Sequence, residues 1–368
     1  MRQCVFFAFL CMDTGFFYRL LNIDSTSGKE ASLADMLVEE MSAPGRDVRT
    51  FDVGDGTVNI LVSWGVPEVV FCTHLDTVPP YIAPSSDGDL VRGRGTCDAK
   101  GQIFAMYEAC KVLESKGYDG FALLLLAGEE TGSFGAKAFR GQHPGAEWVI
   151  VGEPTDNCMA SASKGTKAFE VEFTGKAFHS GYPEHGTSAV NLFNDFMNAL
   201  RSIVFPSDDI LGNTTWNIGR LSSDNPQNIL SDRLTCRVYF RTTFASDEMV
   251  CNIMRNIAGP DAKLRFGRPR VQDGSDIVAK EVAPWQKAMS VKALGGDTPT
   301  SYETFPEFPA KPVSFGSDAP QLTNFRRKIL CGPGSILVAH RDDEHVLISD
   351  IAQAVENYVK MFEKIRES

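Results

Sequence analysis

At 368 residues the chain exceeds the size at which a single hydrophobic core stops growing, so two domains are expected. Its 43% hydrophobic and 23% charged residues suit a globular protein and exclude a disordered or fibrous one. With 36 basic against 47 acidic residues, a net charge of −11 and no Lys/Arg-rich run, the chain is not expected to bind nucleic acid.

Arg2 followed by the apolar run Cys4 to Met12 resembles a short signal peptide. Asp13 and the lack of a small-x-small cleavage site weigh against that, and the expectation is no processing, with residues 1–11 either a true start or an upstream extension before a start at Met12. Periodicity predicts helices over 13–22 and 28–42, strands over 58–62, 68–73 and 121–127, and a helix over 101–116. Apolar strands separated by a helix predict a mostly parallel sheet covered on both faces. From about residue 165 the order changes. Strands over 168–173, 214–221 and 234–242, helices over 188–204 and 247–257, and a closing strand over 262–266 make a ferredoxin-like β-α-β-β-α-β unit. Residues 281–294 are expected to be helical, 328–331 a strand and 349–365 a helix, returning to the first domain. The domains so drawn are 1–164 with 271–368, and 165–270. No stretch elsewhere approaches the roughly 18 apolar residues that a membrane span requires. Nine scattered cysteines without a CxxC pair fit a reducing, cytoplasmic setting.

Chemistry-bearing residues gather where apolar runs end. His74 closes one strand, where the crevice of an α/β sheet opens, and Asp76 stands where it could orient the imidazole. Asp98 lies in the glycine-dense turn Gly93 to Gly101, where it reads as a metal ligand or as a helix N-cap. Glu129 and Glu130 terminate the strongest apolar run; a cation or a helix N-terminus would offset their repulsion. Glu153 follows a fourth apolar run, and His340 follows Val338-Ala339. Oxygen and imidazole donors without thiolate suit zinc, cobalt or manganese, and one bridging carboxylate can hold two ions.

In order, these motifs resemble the acetylornithine deacetylase, succinyl-diaminopimelate desuccinylase and carboxypeptidase G family of dinuclear-zinc amidohydrolases. The resemblance covers about residues 15–365 and implies a zinc-peptidase-like α/β catalytic domain carrying an inserted lid and dimerisation domain. It implies that Asp98 bridges two zinc ions, that His74 and Glu153 complete one site, and that Glu130 and His340 complete the other. Glu129 is then left free as general base. It further implies that His179, in Phe178-His179-Ser180-Gly181, reaches a partner subunit's site in a homodimer, that Asn228 contacts substrate, and that Arg241 holds its α-carboxylate. Leu230 stands where the family often has proline. Asp318, in Gly316-Ser317-Asp318-Ala319-Pro320, reads either as a substrate-pocket acid or as a helix cap. The function so implied is deacylation of a small N-acyl amino acid, of acetylornithine type in arginine biosynthesis. The alternatives are succinyl-diaminopimelate desuccinylase, a di- or tripeptidase or carboxypeptidase of the same family, or an inactive homologue.

Overall fold

The computed structural model describes residues 12–266 and 281–367; the expectation for residues 1–11 lies outside them. The chain divides into two compact units. The first runs to Ser161 and resumes over Ser301–Val313 and from Ser317, and the second comprises Ala162–Thr300 with Ser314–Gly316.

The first unit is built on a six-stranded sheet in the order Asp47–Gly54, Thr57–Trp64, Phe121–Leu126, Val69–His74, Trp148–Val151, Arg327–Leu330. The last four run parallel to one another, and Thr57–Trp64 is antiparallel to both of its neighbours. Val69–His74, Phe121–Leu126 and Trp148–Val151 are buried at every position, which is why they read as unbroken apolar runs. Sequence reasoning missed the edge strand Asp47–Gly54, whose residues are all exposed or half-buried. Its signal was Asp55-Gly56, both with positive φ, the chemistry of a two-residue hairpin turn. Against the sheet pack Lys100–Ser115, buried along most of its length, and the amphipathic helix Ile348–Glu367. Thr14–Leu21 begins where Asp13 accepts a hydrogen bond from the Phe16 N–H at 3.1 Å, and its Phe17 stacks on Phe104 with ring centroids 5.0 Å apart. Phe104 is wholly buried, so truncating it to alanine costs about 3–5 kcal/mol.

The second unit is a four-stranded antiparallel sheet in the order Thr215–Ser222, Arg233–Thr242, Gly165–Thr174, Met289–Gly295. Gly165–Thr174 and Arg233–Thr242 alternate in burial, and Phe169, Val171, Phe173, Val238 and Phe240 pack with helices Ala189–Ser202 and Asp247–Asn256. The ferredoxin-like order therefore holds, but its closing strand is not 262–266. Leu264 and Phe266 pack against the core from a non-strand segment, while Met289–Gly295 takes the edge beside Gly165–Thr174. The helix expected over 281–294 is reduced to Pro284–Lys287, because Met289, Val291 and Ala293 follow a two-residue period against the sheet. Hence the second unit extends to Thr300 and not to the expected 270. Among the described residues, no helix is long and apolar enough to cross a membrane.

Candidate metal centre

Five segments of the first unit converge near the ends of the parallel strands. Val69–His74 delivers His74, which is 2% exposed. Its Nδ1 lies 2.9 Å from the Asp76 carbonyl oxygen, leaving Nε2 2.9 Å from Asp98 Oδ1. Burial opposes a charged imidazole here, but Asp76 and Asp98 outweigh it and hold the pKa of His74 well above its ordinary value. Asp76 does more than face the imidazole. Its carboxylate accepts the backbone N–H groups of Glu129 at 3.0 Å and Glu130 at 3.2 Å, and the Ser27 hydroxyl at 2.8 Å. Asp76 therefore ties the His74 strand end to the Glu129-Glu130 turn. Despite burial, its pKa stays low, chiefly because of His74.

Asp98 is 5% exposed and is not a helix cap: Lys100–Ser115 begins after Ala99, and no side chain caps it. Asp98 Oδ1 faces His74, while Oδ2 lies 3.2 Å from His340 Nε2. The same His340 nitrogen is 2.9 Å from Glu130 Oε1. Hydrogen bonding to Asp98 and Glu130 pushes His340 up to about 10 against partial desolvation. His340 also has φ of +63°, a left-handed conformation uncommon outside glycine, and such residues cluster at functional sites. The helix nearest to Glu129 and Glu130 begins at Phe134, so neither acid occupies its first turn.

Donor atoms of His74, Asp98 and Glu153 lie within 4.8 Å of one another, as do those of Asp98, Glu130 and His340, and those of His74, Glu129 and Glu130. Glu153 is 4% exposed and follows Trp148–Val151. Burial, reinforced by neighbouring carboxylates, raises Glu129 and Glu153 well above the ordinary carboxyl range and raises Glu130 less. So many buried acids repel one another unless a cation compensates them, and their oxygen and imidazole donors fit zinc-class ions. Thiols take no part: burial pushes Cys97 well above its ordinary pKa, and its Sγ points to the Ser335 carbonyl at 3.3 Å.

Asp318 is 2% exposed and close enough to Glu129 and Glu153 to raise both carboxyls. It starts a turn, its carbonyl accepting from the Gln321 N–H, and no helix begins there. The remaining expected residues belong to the second unit. His179 is exposed, its Nδ1 accepting from the Gly181 N–H at 3.0 Å. Its loop lies beside that of Asn228, because Ser180 N–H donates to the Asn228 carbonyl and Leu230 N–H to that of Phe178. A proline at position 230 could not make the second bond. Arg241 places its guanidinium 5.0 Å over the Tyr239 ring. Sequence reasoning missed Glu344 and Arg94, a fully buried pair behind Asp98. Glu344 is only one of several charges after His340 in the sequence, and nothing local distinguishes it.

Residues 70–364, carrying all five candidate ligands, match the model of peptidase family M20/M25/M40. The chain belongs to this family. A probable carboxypeptidase of Aspergillus clavatus is 29% identical, the alignment covering 94% of this chain and 86% of that protein. An M20 domain-containing protein of Schizosaccharomyces pombe is 31% identical over 93% and 82%, and a probable carboxypeptidase of Aspergillus flavus 32% over 82% and 73%. Among solved structures, a Staphylococcus aureus tripeptidase matches with a TM-score of 0.76 at 19% identity, over 96% of this chain and 97% of that one. The fold of this M20 peptidase is thus that of its family, and its chemistry is that of a metal-dependent amidohydrolase. The relatives named for an activity are carboxypeptidases and a tripeptidase, the class the sequence reading held as an alternative to acetylornithine deacylation.

Proposed function

We propose that this M20 peptidase hydrolyses the amide bond of a small peptide or N-acyl amino acid that carries a free α-carboxylate, acting as a carboxypeptidase or dipeptidase. The observation that carries the reading is the division of Asp98, one oxygen toward His74 and the other toward His340, the arrangement a carboxylate shared by two cations needs. His74, Asp98 and Glu153 would hold one zinc-class ion, and Asp98, Glu130 and His340 the other. Bound there, the ions supply Lewis-acid polarisation of the scissile carbonyl and lower the pKa of water. Glu129, excluded from both groups, takes a proton from the attacking water and returns one to the leaving amine nitrogen. Burial and neighbouring acids raise its pKa well above the ordinary carboxyl value, which favours its holding the proton between the two transfers. Asp76 positions both His74 and the Glu129 turn. His179 donates a hydrogen bond to the oxyanion in the partner subunit of a homodimer, Arg241 binds the substrate carboxylate with a planar fork of donors, Asn228 contacts substrate, and Asp318 pairs with a substrate ammonium. The seven described cysteines are all unpaired, which supports a reducing, cytoplasmic setting.

The test is a hydrolysis panel with added Zn²⁺, Co²⁺ or Mn²⁺: dipeptides and tripeptides with free or amidated C-termini, N-acetylornithine, N-acetylcitrulline and succinyl-diaminopimelate, with Glu129→Gln as blank. Cleavage of free-carboxyl peptides, abolished by amidation, is the expected outcome. Turnover confined to N-acetylornithine would replace the peptidase reading with a deacylase of arginine biosynthesis, and succinyl-diaminopimelate alone with the desuccinylase.

A further inference from the structure

Behind Asp98 lies an ion pair that belongs to none of the three groups of candidate ligands. Glu344 and Arg94 are 1% and 2% exposed, and their carboxylate and guanidinium meet directly. Glu344 Oε1 accepts three backbone N–H groups of the Asp98 turn: Gly95 at 2.9 Å, Cys97 at 3.1 Å and Asp98 itself at 3.1 Å. The backbone carbonyl of Glu344 accepts from Gly93 at 3.0 Å. Arg94 in turn donates to the Arg341 carbonyl at 3.3 Å and, through Nε, to the Pro80 carbonyl at 3.2 Å. Arg341 directly follows His340. One buried pair therefore grips both the peptide of Asp98 and the segment that presents His340, beyond the short antiparallel ladder in which Leu90–Arg92 pairs with His345–Leu347.

We propose that Glu344 and Arg94 are positioning residues that set the separation of Asp98 and His340, and thereby the affinity for the ion of the Asp98, Glu130 and His340 group. Two features support this. His340 holds a left-handed conformation that its surroundings must maintain, and the segment from His340 to Glu344 is anchored at both Arg341 and Glu344. His74 and Glu153, by contrast, are fixed by strands Val69–His74 and Trp148–Val151. The clamp thus acts unequally on the two groups, Asp98 being common to both. Outer residues that orient ligands commonly control affinity by about 10–100-fold.

The inference rests on the two-ion reading, and its test separates the two. Metal-free full-length protein is titrated with Co²⁺, following stoichiometry by calorimetry and coordination by the visible absorption of cobalt. Wild type is expected to bind two ions; fewer would refute the two-ion reading itself. Glu344→Gln keeps the shape but removes the charge, and is expected to weaken one ion about 10–100-fold, the other less, with an altered cobalt spectrum. Arg94→Lys, which keeps charge but loses the fork, should act in the same direction and serves if Glu344→Gln fails to fold. Glu114→Gln, which removes the partner of Arg46 in the same unit, is the control, expected to lower Tm while leaving both cobalt affinities unchanged. If both clamp variants bind two ions as tightly as wild type, or weaken both ions equally, the proposal is overturned.

Discussion

Replacing Glu129 by glutamine separates the chemistry of the centre from its assembly. The side chain stays the same size, and the backbone bond from residue 129 to Asp76 at 3.0 Å is untouched, so the turn is retained. What disappears is a buried carboxyl whose pKa is raised well above its ordinary value by desolvation and by neighbouring acids, the group that takes and returns the proton in the proposed reaction. General-base assistance of this kind is worth about 10² to 10⁴-fold in kcat, or about 3–5 kcal/mol of barrier. KM is expected to change little. Both ions are expected to remain, because the groups His74, Asp98, Glu153 and Asp98, Glu130, His340 omit Glu129. The assay is steady-state hydrolysis of the best peptide from the panel, with metal content measured on the same preparation. A variant that loses an ion would make Glu129 a ligand, as the alternative group His74, Glu129, Glu130 allows, and would refute the assignment. So would a kcat within about tenfold of wild type.

Asp98→Asn weakens both candidate sites at once, so metal content and activity should fall together, whereas Glu153→Gln should spare one ion. In metal-free protein the raised Glu129, Glu130 and Glu153 contribute their full stabilisation below their ordinary value of 4.5 and lose it progressively as pH rises through the raised values. His340 adds the same sign between 6.5 and about 10. Metal-free Tm should therefore fall as pH rises from 4.5 toward about 10, and added Zn²⁺ should restore it; a flat profile would contradict the burial argument. Arg241→Ala should raise KM for free-carboxyl substrates by about 10–100-fold, from the loss of a charge-assisted bond, without a comparable fall in kcat. Mixing inactive Glu129→Gln and His179→Ala proteins should restore part of the activity in heterodimers, and no recovery would confine His179 to its own subunit or remove it from the chemistry.

The sequence by itself determined what local chemistry and periodicity encode. The fully buried strands ending near His74, Glu129 and Glu153 were readable because burial on both faces demands unbroken apolar residues, and the ligands follow where those runs stop. Asp55-Gly56 carried the missed hairpin in plain view. Tertiary structure alone decided the rest. Met289–Gly295 became a strand because the edge beside Gly165–Thr174 was open to it, whereas its short apolar pattern fits a helix or a strand equally well. The hold of Asp76 on the Glu129 turn and the role of Glu344 were hidden, since a carboxylate that organises backbone N–H groups some 50 or 250 positions away in the chain leaves no mark in its own neighbourhood. Sequence spacing records what a residue does to its neighbours along the chain; which carboxylate closes around a distant turn is settled only when folding brings the two together.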